Sequence, residues 1–216
     1  MKTEVVRINS AEPEERLVSY VANQIRSGKA VGMPTDTFYG LAVDPFNLRA
    51  VDAVYDIKTR SRHKPLSLLI ESVDQAEELT RPMPSQFYAL ARRFWPGPLT
   101  IIVRAAPRLP LKVTANTGNV AIRVPAAPIA LAIIRQAGIP LTATSANISG
   151  AAECTTAKAV KEQLGERIPL IVDGGESPRS VASTIVDLTD MIGDSGWRVL
   201  REGAVPMQEI TELLGS

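Results

Sequence analysis

Apolar residues recur at helical spacing from Glu14 to Ser27, where Leu17, Val18, Val21 and Ile25 share one face and Gly28 follows at the position of a left-handed C-terminal cap. The same spacing predicts helices at Leu48 to Ile57 (Val51, Val54, Ile57), Ser85 to Phe94 (Phe87, Leu90, Phe94) and Pro128 to Gln136, with weaker candidates at Ala157 to Leu164 and Met207 to Leu214. Between them lie short β-rich runs bounded by Gly, Pro and Asn: Ala30 to Met33, Leu66 to Ile70, Leu99 to Val103, Val120 to Val124, Leu141 to Thr144, Leu170 to Val172, Thr184 to Leu188 and Trp197 to Leu200. Strands and helices alternate through most of the chain, which predicts an α/β sheet with flanking helices. The short interval from Asp187 to Arg198 predicts a final antiparallel hairpin, so the sheet is expected to be mixed parallel and antiparallel.

With 216 residues, 45% of them hydrophobic, the chain is expected to form one domain over 1–216. No repeat or long linker divides it. It holds no run of eighteen apolar residues, and Met1 to Ser10 lacks the layout of a secretion signal, so the expected location is the cytoplasm, with no membrane partner. The single cysteine, Cys154, excludes an internal disulfide framework or a zinc site built from several thiolates, and reads as an ordinary small residue. Formal net charge is +1, so any basic site must be local. One exists: Lys58, Arg60, Arg62 and Lys64, with the only histidine, His63, among them.

Four polar clusters follow or join the strands, where an α/β scaffold presents its ligand groups. The first, Pro34 to Leu41, carries Thr35, Asp36 and Thr37 before Gly40, and equally suits a structural turn. The second is the basic run, whose mixture of Lys and Arg suits a polyphosphate, with RNA backbone and simple helix capping as rival readings. In the third, Asn119 to Pro125, core-facing Val120, Ile122 and Val124 turn Asn119, Ala121 and Arg123 to the other side. Arg123 there is either a carboxylate or phosphate clamp, or half of a buried ion pair with Asp36 or Asp187. The fourth, Thr142 to Gly150, ends a strand in hydroxyls, an amide and a glycine, fit for phosphate or ribose or for a capping turn. Neither a GxxxxGK[ST] loop nor a GxGxxG turn is present, and HExxH, paired CxxC and GxSxG are missing too.

In this order the clusters resemble the YrdC/Sua5 family of threonylcarbamoyl-AMP synthases, through PTDTFYGLAVDPFN at Pro34 to Asn47, KTR at Lys58 to Arg60, KPL at Lys64 to Leu66, FWPGPLTIIV at Phe94 to Val103, VAIRVPAAPIALAII at Val120 to Ile134, TSANISG at Thr144 to Gly150 and STIVDL at Ser183 to Leu188. The KxR and SxN elements are intact, whereas YciO-type paralogues tend to lose SxN and HypF carries a comparable module in a much longer chain. The resemblance implies a twisted mixed sheet around a large concave cavity, in the short form without a second domain. It implies a nucleotidyltransferase that joins L-threonine, bicarbonate and ATP into threonylcarbamoyl-AMP and pyrophosphate, the product passing to the threonylcarbamoyltransferase machinery that modifies tRNA. The roles it implies are Lys58 and Arg60 in catalysis; Lys58, Arg60, Lys64, Asn119, Ser145, Asn147 and Arg201 toward ATP; and Thr37, Arg123 and Ser183 toward threonine. Mg²⁺ is expected with the triphosphate, held by phosphate oxygens and water rather than by a protein cage. Two alternatives stand: a non-catalytic RNA-binding module, and a YciO-like paralogue with another substrate. Ser149 to Thr155 and Gly174 to Ser180 are candidates for segments that close over the cavity.

Overall fold

The computed structural model describes residues 2–178, 180–190 and 196–215. In chain order its elements are β1 (Glu4–Arg7), α1 (Glu15–Arg26), β2 (Val31–Met33), β3 (Gly40–Ala42), α2 (Leu48–Lys58), β4 (Leu68–Leu69), α3 (Val73–Leu79), α4 (Ser85–Phe94), β5 (Leu99–Arg104), α5 (Leu111–Thr114), β6 (Asn119–Arg123), α6 (Pro128–Ala137), β7 (Leu141–Thr142), β8 (Thr144–Ser145), α7 (Ala157–Leu164), β9 (Leu170–Asp173), β10 (Thr184–Asp187), β11 (Arg198–Arg201) and α8 (Met207–Leu214). The six helices expected from apolar spacing are all present. Residue 179 of the expected closing segment and residues 191–195 between β10 and β11 lie outside the described residues.

The strands form two mixed sheets rather than the one expected. One runs β1-β9-β2-β3-β8, the other β11-β10-β5-β6-β4-β7. The reason lies in Leu141 to Thr144, read from sequence as a single strand. Leu141 and Thr142 pair antiparallel with β4, while Thr144 and Ser145 pair antiparallel with β3 in the other sheet. Ala143 at the crossing donates its N–H to Ser67 O (2.8 Å), and Thr142 exchanges bonds with Val43 through its N–H and Oγ1 (3.0 Å each). Every backbone group needs a partner when buried, and here one five-residue run serves both sheets.

Period-two alternation sorts the side chains onto opposite faces. In β2, Val31 and Met33 join the cluster formed with α1 and α6 (Val18, Val21, Ile25, Ile129, Ile133), while a Cβ at Gly32 between them would meet Val160 and Ile168 on the other side. Leu41, Leu68, Ile101, Ile122 and Val186 belong to a second, larger core with α2, α4 and α7. The elements that sequence reading did not predict, β1, β3, β8, α3 and α5, are between two and seven residues long, too short to show a period. No described helix is long and apolar enough to cross a membrane.

The expected final hairpin is present, with β10 and β11 antiparallel. It is locked by Thr184, which is fully buried: its hydroxyl donates to Val205 O (2.5 Å) and accepts from the N–H groups of Gly203 and Val205 (2.9 and 3.0 Å). Gly203 must be glycine, because a Cβ there would lie 2.2 Å from Ala182 O. Replacing Thr184 by valine keeps the shape but strands two donors and an acceptor. T184V is therefore expected to cost about 2 kcal/mol, read as a lower urea midpoint at unchanged m-value; an unshifted midpoint would remove the hydroxyl from the account.

Candidate functional site

Where the two sheets meet, a polar cavity of about 240 Å³ opens between the Thr35 to Gly40 segment, β4 to β6, β8 and the β10–β11 hairpin. Of the ten residues the sequence singles out, Thr37, Arg60, Arg123, Ser145, Ser183 and Arg201 line it. Lys58 and Asn147 stand directly behind the wall, bonded to Ser145. Lys64 and Asn119 do not line it: Lys64 is exposed, and Asn119 begins β6 opposite Arg104. Sequence reading did not assign Ser67, Thr100 or Glu153 to the site, and it saw Tyr39 and Thr144 only as parts of clusters; all five line the cavity.

Arg123 closes β6 and is 6% exposed. Its guanidinium reaches Thr37 Oγ1 (3.3 Å) and Thr35 Oγ1 (3.4 Å), and Asp36 Oδ1 stands 3.5 Å away. Both readings of Arg123 thus hold at once: it faces the cavity and it pairs with Asp36. Thr35 holds the turn by accepting from Thr37 N–H (3.2 Å) and donating to Phe38 O (2.6 Å). Tyr39 carries the turn into β3. Its hydroxyl donates to Gly175 O (2.6 Å), and burial pushes the phenol up to about 12, so it remains a donor.

The basic run divides. Thr59 caps α2 in the left-handed region (φ 53°), a conformation rarely taken by a β-branched residue, and this reversal sends its neighbours to different places. Lys58, 1% exposed, gives its ammonium to Ser145 O, Asn147 O (2.7 Å) and Asn147 Oδ1 (3.0 Å). Asn147 Oδ1 also accepts from Ser145 Oγ (2.7 Å), and Asn147 Nδ2 donates to Ala151 O (2.7 Å). KxR and SxN are therefore one network, with Lys58 as its centre. Burial, with the Arg60 charge beside it, pulls the ammonium down to about 8. Arg60, by contrast, turns into the cavity; one terminal nitrogen donates to Pro65 O (2.9 Å), while its buried Nε has no partner. Arg62 is tied to Asp52 and Asp56 (2.6 and 2.8 Å), so the run is not a continuous row of free cations.

Across the cavity, Ser183 Oγ bonds Thr100 Oγ1 (2.8 Å), and Arg201 donates to Ser183 O through Nε and Nη2 (3.1 and 2.9 Å). Thr144 Oγ1 is buried at the wall without a partner. Three arginines, unpaired donors and neutral hydroxyls around one space suit a ligand carrying several anionic oxygens, such as a phosphate chain together with a carboxylate. Cys154 is buried, and that burial pushes its thiol up, away from nucleophilic use.

A family model for Sua5/YciO/YrdC proteins, described as telomere recombination, matches residues 23–203. The chain is 39% identical over 204 residues to the threonylcarbamoyl-AMP synthase of Pyrococcus abyssi, an alignment covering 94% of this chain and 58% of the relative. With the protein of the same name from Bacillus subtilis the identity is 39% over 199 residues, covering 92% of this chain and 56% of that one. The chain thus spans less than two thirds of the length of these two relatives. A solved structure of P. abyssi Sua5 complexed with L-threonine superposes with a TM-score of 0.94 at 37% identity, over 99% of this chain and 61% of that chain.

The Lys58 network has a signature in stability. The folded group titrates at about 8 and its ordinary value is 10.5, so between these the unfolded chain binds the extra proton and stability rises with pH. The cost of burying the charge is fully present below pH 8 and is relieved as pH climbs toward 10.5. Relative to K58M, which carries no such proton, the parent should gain stability across that window in urea titrations; a difference that stays flat with pH contradicts the buried ammonium.

Proposed function

The chain belongs to the Sua5/YciO/YrdC family, and on that footing we propose that it makes threonylcarbamoyl-AMP and pyrophosphate from L-threonine, bicarbonate and ATP, as an adenylyl-transferring enzyme. The observation that carries this reading is that Arg60, Arg123 and Arg201 line one cavity together with the hydroxyl residues Thr37, Thr144, Ser145 and Ser183.

In this reading the threonine carboxylate sits against Arg123, with Thr37 and Ser183 offering hydroxyls to the rest of the amino acid. Its amine takes up carbon dioxide as a carbamate, a carbamate oxygen attacks the α-phosphorus, and pyrophosphate leaves. Such a transfer asks the protein for alignment and charge stabilisation, and needs no covalent nucleophile. Arg60, held near Pro65 O and half-buried, meets charge that grows on the phosphate oxygens in a site of reduced dielectric. Lys58 positions rather than touches: by holding Ser145 and Asn147 it fixes the wall against which the nucleotide lies. Arg201 and Thr100 do the same for Ser183.

Mg²⁺ would come with the triphosphate. Among the described residues no group of three or more His, Cys, Asp or Glu could cage it, but Glu153, the carboxylate in the cavity lining, fits a metal bound mainly by phosphate oxygens and water. Bound there, it would neutralise phosphate charge. The product, an activated carbamoyl donor, is suited to a tRNA-modifying transferase, and the cytoplasm is the proposed place of work.

Pyrophosphate release from ATP should require both L-threonine and bicarbonate, and mass spectrometry should find the mixed anhydride. Release that continues without threonine would refute the reaction. R60A should lose about 2 kcal/mol or more of transition-state stabilisation, roughly a thirty-fold fall in kcat/KM; parental turnover in R60A would take Arg60 out of the phosphate site.

A further inference from the structure

Among the described residues, five buried side-chain atoms lack a hydrogen-bond partner: Arg60 Nε, Thr144 Oγ1, both carboxylate oxygens of Asp36, and Ser177 Oγ. The first two belong to residues that line the cavity described above. The other three belong to residues that line a second one, of about 280 Å³, whose walls include Ser10, Asp36, Ala127, Ile129, Gly174 and Ser177. Thr35 and Thr37 line the first cavity and Asp36, between them in sequence, lines the second. The clustering is informative, because buried polar groups in folded proteins are nearly always satisfied by protein, ordered water or an ion.

Asp36 is 2% exposed. A buried carboxylate must be paired or neutralised; among the described residues its ion-pair partner is Arg123 at 3.5 Å, which gives Asp36 no hydrogen bond and also serves Thr35 and Thr37. The neighbouring start of α6 opens with Pro128, which has no N–H to give, and gives Asp36 no hydrogen bond. No lysine or arginine lines this second cavity among the described residues, and Glu176 adds a further carboxylate to its wall. Ser177, also in the lining, is 7% exposed; its N–H is spent on Thr155 O (2.8 Å), and its buried hydroxyl oxygen has no hydrogen-bond partner.

We propose that this second cavity is a binding site for a monovalent metal cation, Na⁺ or K⁺, with the Asp36 carboxylate and the Ser177 hydroxyl as ligands. Both are hard oxygen donors, and with Glu176 exposed to solvent the one buried carboxylate beside a neutral hydroxyl balances a single positive charge. A divalent ion would call for more acidic ligands than this wall supplies, and no group of three or more is found among the described residues. The cation neutralises Asp36 from behind, so that Arg123 no longer divides its charge and can commit it to the first cavity. The site is thus a device that sets the strength of the Arg123 clamp, and it stands on its own geometry whether or not the proposed reaction is correct.

The test uses the full chain without substrates. Thermal unfolding is followed in KCl, NaCl or choline chloride at equal ionic strength of about 0.1 M, where screening is the same for all three. A site about ten-fold above its Kd raises Tm by roughly 3–5 °C over choline, saturably, for K⁺ or Na⁺. D36N and S177A should each reduce or abolish that difference, and crystals soaked in thallium(I) should show an anomalous peak between Asp36 and Ser177. If D36N fails to fold, S177A carries the comparison, since losing one hydroxyl leaves the fold intact. Equal Tm in the three salts with no thallium peak means that water alone fills the cavity and overturns the proposal. A salt preference that survives S177A together with a peak elsewhere overturns it equally.

Discussion

The crossing of residues 141–145 from one sheet to the other is the constraint on which the rest depends. Strands of two residues each are weak by themselves, yet these are held on both sides by β4 and β3 and at the crossing by Ser67 and Val43. The crossing joins the two sheets at the polar cavity, whose wall includes Ala143, Thr144 and Ser145. It also places Thr144 and Ser145 on one wall while Arg123, one strand beyond β4, faces them from the other sheet. The apolar clusters hold the sheets and helices together, but it is this backbone run that decides where the polar residues meet.

Charge is handled by separation. Lys58 and Arg60 are two residues apart, and the left-handed turn at Thr59 gives one to the interior and the other to the cavity. A lysine suits the inner place because a compact ammonium can serve three acceptors converging from one loop. An arginine suits the outer place because its fork can hold a backbone carbonyl with one nitrogen and keep another for a ligand. Exchanging them would leave a planar group in a tetrahedral pocket and a point charge at a site built for a fork.

Much of this was legible in the sequence, and the limits are physical. The long helices α1, α2, α4 and α6 announce themselves because an apolar stripe needs three turns to show its period. Arg123 could be found from the alternation of β6, and the hairpin of β10 and β11 from the shortness of its connection. The second sheet could not, since β3, β7 and β8 are two or three residues long and the switch at Ala143 depends on partners far away in sequence. For the same reason the basic run read as one cluster suited to a polyphosphate, with Lys58 and Arg60 not told apart. Nothing local says that the Lys58 side chain ends on the carbonyls of Ser145 and Asn147, eighty-seven and eighty-nine residues on. Asn119 followed the same alternation as Arg123 but begins the strand that Arg123 ends, and does not line the cavity. Glu153 and Thr100 carry no motif, and only the fold brings them to the wall.

The molecule is close to electrically neutral, with a net charge of +1, while its cavity is lined by three arginines against one glutamate. A field from so small an excess fades within a Debye length of about 8 Å at physiological ionic strength. The positive character of the cavity is therefore a local property, set by where Arg60, Arg123 and Arg201 stand, and is not a field carried by the molecule as a whole.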